Sequence, residues 1–125
     1  MKVYYAHPVS LYDTKVEKRD IELLQKLGFE VVNPNAPEHT AAYGQRKRDG
    51  ITKDNGFEYF VELAATCDLC AFRAFPSGDI GSGVGKEVAS FIFADKPVIE
   101  LPTGVMRRTM PIELTKEVLR DSGAR

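Results

Sequence analysis

Short apolar runs that read as strands alternate with helically patterned segments along this chain, and no other feature narrows the fold as much. KVYYA (2–6) is rich in β-branched and aromatic residues and is stopped by His7-Pro8. Thr14 followed by Glu17 is a capping-box signature, and Val16, Ile21, Leu23, Leu24 and Leu27 continue it as a helical stripe that ends at Gly28. FEVVN (29–33) reads as a second strand, ended by Pro34 and Pro37. Helical patterning returns at Phe57, Phe60, Val61, Leu63 and Ala64, with Asp54 or Asn55 as the expected cap. A third strand, DLCAFRA (68–74), a helix over 84–95, a fourth strand, PVIEL (97–101), and a last helix near 112–121 complete the order. The intervening stretch, roughly 34–54, is charged, carries Pro, Asn and Gly, and has no period, so it reads as a long loop.

An order of βαβ(loop)αβαβα favours an α/β fold: a flavodoxin-like or Rossmann-like three-layer sandwich around a small, mostly parallel sheet. At 125 residues it is expected to be one domain, 1–125. Ligands of such sheets bind outside the carboxyl ends of the strands, where the strand order reverses. The segments at that edge are 6–12, after the first strand, and 75–87, after the third.

Charge and cysteine usage exclude several function classes. A net charge of −1 lacks the electrostatic footprint of a nucleic-acid-polymer binder. No apolar run approaches the ~18 residues that span a bilayer, and the first strand follows Met1 directly, so a cytoplasmic protein is expected. Cys67 and Cys70 form a CxxC pair without the second pair that a zinc site needs. Read within the strand, the two thiols diverge to opposite faces as buried small hydrophobes. No metal or organic cofactor is expected.

SGDIGSGVGKE (77–87) is the strongest local feature, with Gly81, Gly83 and Gly85 leading into a helix. Close backbone approach and free N–H groups at a helix start suit a polar or anionic ligand. Ile80 and Glu87 break a Walker A pattern, and G-x-G-x-G is not the dinucleotide fingerprint. What remains is a glycine-lined cleft with one carboxylate, Glu87, expected on the first turn of the helix. A carboxylate there suits attack on an anomeric carbon, where it captures an oxocarbenium-like centre as an ester. Asp79 is the nearest candidate for a second acid, and Asp68, at the start of the third strand, is expected to be structural. The bland alternative for Glu87 is a solvent-facing glutamate stabilised by the helix dipole.

With these residues placed, the chain resembles the nucleoside 2-deoxyribosyltransferase-like superfamily, which includes the deoxynucleoside 5′-monophosphate N-glycosidases. Tyr4-Tyr5-Ala6-His7-Pro8 is similar to the family's Tyr-x-Ala-Gly-Pro, with His7 in the glycine's place. Gly85-Lys86-Glu87 and Lys96-Pro97-Val98 follow in the family's order, and the similarity covers most of 2–101. The resemblance implies a flavodoxin-like fold, Glu87 as nucleophile and Tyr4 as the hydroxyl that orients it. The sheet-edge placement, independent of the resemblance, puts Ala6, His7, Pro8, Ser77, Gly81, Ser82, Gly83 and Gly85 around the substrate. The resemblance also implies a homo-oligomer, most simply a dimer, in which a neighbouring subunit helps to close the site.

Two basic clusters, Arg46-Lys47-Arg48 and Arg107-Arg108, follow the second and fourth strands. They are either solvated surface charge or a means of recruiting a substrate phosphate, with Ser77 and Ser82 as further donors. The expected activity is cleavage of the N-glycosidic bond of a nucleoside or its 5′-monophosphate, by hydrolysis or base exchange. The alternative is a nucleotide or nucleotide-sugar binding module without chemistry.

Overall fold

The computed structural model describes residues 1–50, 56–102 and 112–121. Four strands, β1 (Lys2–Ala6), β2 (Glu30–Val32), β3 (Leu69–Arg73) and β4 (Val98–Leu101), form one parallel sheet in the order β2-β1-β3-β4. Among the described residues five α-helices accompany them, α1 (Lys15–Lys26), α2 (Pro37–Asp49), α3 (Glu58–Ala65), α4 (Ser82–Phe93) and α5 (Ile112–Asp121), with a single 3-10 turn at Val9–Leu11. The chain is therefore the expected α/β three-layer fold. Strand order reverses between β1 and β3, so their carboxyl ends frame the ligand position that such sheets share.

Alternation along the strands divides the core in two. Tyr4 and Ala6 of β1, with Cys70 and Phe72 of β3, pack against Ala64 of α3 and Val84, Val88 and Phe91 of α4. Val3, Tyr5, Leu69, Ala71 and Leu101 face the other way, onto Leu24, Ile21 and Leu23 of α1. Each large apolar side chain buried this way contributes about 1.5–3 kcal/mol.

Thr14 caps α1 as its sequence implies, its hydroxyl accepting from the Glu17 amide at 3.3 Å. Glu17 does not return the bond to Thr14, however: its Oε1 accepts from the Asp13 amide at 3.3 Å and its other oxygen faces His7. Gly28 stops the helix in the left-handed region, at φ 94.

Three expectations are corrected. Much of the stretch read as a loop over 34–54 is α2, opened by Pro37 in its first turn and closed by Gly50 at φ 64. No residue of α2 is buried, so it has no apolar stripe for periodicity to find. α4 begins at Ser82 rather than 84, which moves Glu87 from the first turn into the second and buries it. Cys67 precedes β3, so the strand rule does not separate the thiols, and both lie in one core cluster as free cysteines. Burial raises both thiols, Cys70 to about 12, which suits inert packing. The proposed caps Asp54 and Asn55, and the pair Arg107-Arg108, lie outside the described residues.

Candidate functional site

A cavity of about 660 Å³ opens at the carboxyl edge of the sheet. His7, Pro8 and Tyr12 enter it from the segment after β1, and Pro34 and Asn35 from the segment after β2. Thr40 and Tyr43 of α2 and Phe57 and Phe60 beside and on α3 form an outer wall. Phe75, Gly81, Ser82, Gly83 and Glu87 close the side after β3. The wall is largely aromatic: Tyr43 and Phe60 stand 4.9 Å apart between ring centres, and Phe57 and Phe60 6.2 Å. Flat apolar walls of this kind accept a planar ring by stacking.

Glu87 is the one carboxylate among the described residues that line this cavity. Its Oε2 accepts a hydrogen bond from the Tyr4 hydroxyl, which reaches it from the fully buried middle of β1. No ion pair with Glu87 occurs among the described residues. Burial alone pushes its carboxyl up to about 8, so it holds a proton at neutral pH when the cavity is empty. A buried carboxyl with a raised pKa, one hydroxyl partner and an open face is the arrangement expected of a working acid, base or nucleophile.

The glycines contribute differently from the expectation. Gly83 and Gly85 lie within the first turn of α4, and Gly81 is its N-cap at φ −64. A Cβ on Gly81 would meet the Phe75 ring at 3.1 Å, so this glycine lets the aromatic ring close over the loop. Gly85 lies outside the lining and faces Ile80.

His7 is buried, its ring stacked on Tyr5 at 3.8 Å with Tyr12 tilted against it at 4.8 Å. Its Nδ1 is 2.9 Å from the Tyr5 carbonyl oxygen, an acceptor that requires Nδ1–H. Its Nε2 is 2.7 Å from Glu17 Oε2, so one proton lies between imidazole and carboxylate. Asn35 donates from Nδ2 to both Glu17 oxygens, at 3.1 and 3.2 Å, and to Asp13 Oδ1 at 3.0 Å. Tyr12 is raised to about 12, first by burial and then by the Glu17 charge.

The structure thus brings Tyr4, His7, Pro8, Gly81, Ser82, Gly83 and Glu87 to one place and leaves other candidates outside it. Ala6 is buried in the core. Asp79 and Ser77 are exposed and engage each other, the Ser77 hydroxyl donating to Asp79 Oδ2 at 3.1 Å, away from the cavity lining. Arg46 is held by Glu62 at 2.5 Å, and Arg48 donates to Gln45 at 2.8 Å, both on the exposed surface. Asp68 accepts from the Lys2 amide at 2.7 Å, the structural role expected of it. Sequence reasoning missed Glu17, Asn35, Tyr43 and the aromatic wall. Phe57 and Phe60 carried a signal, but helical spacing is equally the mark of a core stripe.

No family model matches the chain, and none of the curated proteins searched matches its sequence. No helix among the described residues is long and apolar enough to cross a membrane. Nor do they hold a group of three or more His, Cys, Asp or Glu side chains placed to bind a metal ion.

Proposed function

We propose that the protein cleaves the N-glycosidic bond of a nucleoside or nucleoside 5′-monophosphate, with Glu87 as the nucleophile. The observation that carries this reading is the Tyr4–Glu87 pair at the foot of a cavity with aromatic walls. The walls suit a planar base, and the carboxylate suits the carbon that the base leaves. Ionised Glu87 attacks C1′ as the C1′–N bond breaks, and the bond's electron pair departs with the base. The Tyr4 hydroxyl, donating to Oε2, holds the carboxyl in one rotamer and leaves Oε1 for attack. The departing base takes up a proton from solvent; water, or a second base, then displaces Glu87 from C1′, gives up one proton to solvent in return, and restores the carboxylate. Positive charge developing on the sugar offsets the cost of ionising a buried carboxyl, so the raised pKa relaxes as the transition state forms.

A homo-oligomer, most simply a dimer, belongs to the same proposal. Ile92 and Phe93 at the end of α4, the latter 90% exposed, offer an apolar surface for a subunit contact.

The second reading is a binding module without chemistry. The observation in its favour is that no second carboxylate joins Glu87 in the cavity lining among the described residues. Chromatography of nucleosides and 5′-monophosphates after incubation with the protein separates the two. Free base supports the glycosidase, whereas thermal stabilisation by the same compounds without released base supports the binding module.

A further inference from the structure

Asn35 presents an unusual face to the cavity. Both of its amide contacts are to carboxylates, Glu17 and Asp13, which accept and do not donate when ionised. That fixes the amide orientation without relying on telling nitrogen from oxygen: Nδ2 must turn toward the acids. Oδ1 is then the polar atom left for a ligand, and it accepts. The backbone is held as well, since the Asn35 amide donates to Asn33 Oδ1 at 3.0 Å.

Two neighbours reinforce this polarity. The Thr40 hydroxyl donates to the Ala36 carbonyl at 3.3 Å, which leaves its lone pairs for a ligand. His7, on the adjoining segment, has both ring nitrogens engaged by Tyr5 and Glu17 and offers the cavity neither. The N–H groups of His7 and of the Asn35 amide are thus turned onto the Tyr5 carbonyl and the acids, leaving Asn35 Oδ1 as an acceptor, while the Ser10 and Tyr12 hydroxyls that also line the cavity serve as donor or acceptor alike.

We propose that Asn35, assisted by Thr40, makes the cavity selective for nucleobases carrying an exocyclic amine over their oxo counterparts. This rests on the reading that a nucleobase occupies the aromatic cavity. An amine supplies two N–H groups from one atom, one for each acceptor. An oxo group in the same place sets an acceptor against Oδ1 and leaves Oδ1 without a partner, even when Thr40 turns its hydroxyl from the Ala36 carbonyl to the oxo oxygen. A site built around hydrogen bonds rejects a ligand lacking them far more strongly than an apolar pocket rejects a missing methylene.

The test is calorimetric binding of matched pairs, cytidine against uridine and adenosine against inosine, each also as the 5′-monophosphate. The expected result is that the amino member of each pair binds tighter by about tenfold or more. Asn35→Leu brings the ratio close to one, and Thr40→Val, which leaves the Glu17 contacts intact, lowers it several-fold. Equal affinities in the wild type, tighter binding of the oxo members, or binding of neither overturns the inference, and this comparison needs no variant to fold. Base release, followed by chromatography in the same mixtures, reports separately on the proposed function. Selective binding without release removes the glycosidase and keeps the selectivity, while release without selectivity does the reverse.

Discussion

Tyr4 and Tyr5 are neighbours on β1, point to opposite faces of the sheet, and each donates its hydroxyl to a buried carboxylate. Tyr5 meets Asp20 of α1 at 2.5 Å, and Arg73 of β3 closes on the same carboxylate with two bonds of 2.7 Å. Tyr4 meets Glu87 of α4, and among the described residues no cation follows. Burial and the Asp20 bond hold the Tyr5 hydroxyl far above its usual range, while burial alone lifts the Glu87 carboxyl to about 8. One cluster has its charge balanced and its hydrogen bonds filled, which is how a fold fastens α1 to its sheet. The other has no cation beside it among the described residues and holds its proton at the edge of an open cavity, a state that stability alone does not explain.

Substitution of the two acids opposes the clusters most sharply. Glu87→Gln is expected to lower kcat by about a thousandfold or more, because the neutral amide cannot capture C1′. Its circular dichroism and ligand binding stay close to wild type. Turnover within a few-fold of the parent would dissolve the functional half of the contrast.

The pH dependence follows from the same carboxyl. Between about 4.5 and about 8 the folded chain retains a proton that the unfolded chain has released. Folding stability attributable to Glu87 therefore declines as pH rises across that window and levels off above it. The decline is on the order of a few kcal/mol, read as a falling urea midpoint that Glu87→Gln flattens. As the proposed nucleophile Glu87 must be ionised, so kcat/KM is expected to rise with pH below about 8, by roughly tenfold per unit. A rate that falls across this range would make Glu87 an acid rather than a nucleophile.

Asp20→Asn is expected to act on stability instead. Leaving the Arg73 guanidinium without its carboxylate costs roughly 2–3 kcal/mol in denaturant unfolding, below the range for fully buried pairs. The discount reflects an Arg73 side chain that is 21% exposed. Activity per folded molecule stays unchanged. The paired tyrosine variants sharpen this: Tyr5→Phe loses about 1 kcal/mol of stability, whereas Tyr4→Phe lowers kcat about tenfold and leaves KM nearly fixed. Arg46→Ala marks the lower bound. Its pair with Glu62 is exposed and screened by solvent, so it leaves the denaturation midpoint nearly unchanged and any discrimination between nucleoside and monophosphate intact, measured by kcat/KM.

The contrast also explains what the sequence made legible. The order of elements along the chain, the sheet edge and the placing of Glu87 on a helix beside it were readable because β-branched runs and glycine spacing are local signals. Helix α2 was not, since a helix with no buried residue has no stripe, and Pro37 and Gly50 announce only its ends. Glu17 looked like a capping residue, and it does border the cap. Its bonds to His7 and Asn35 join residues 10 and 18 positions away and exist only once β1, α1 and the β2–α2 turn have come together. Asp79 was favoured by nearness in sequence to Glu87, but a turn with Gly78 at φ 91 carries it to the outside.

Helix α2 sets the terms on which anything enters the cavity. It supplies Thr40 and Tyr43 to the wall but buries no side chain of its own, so little apolar contact opposes its local opening. The floor, built on the fully buried Tyr4, opens only with the whole fold. A ligand seated against Tyr43 thus closes the cavity by ordering its outer wall, and part of the binding free energy goes into fixing α2. Affinity and the slowing of backbone hydrogen exchange over 37–49 are two readings of one event.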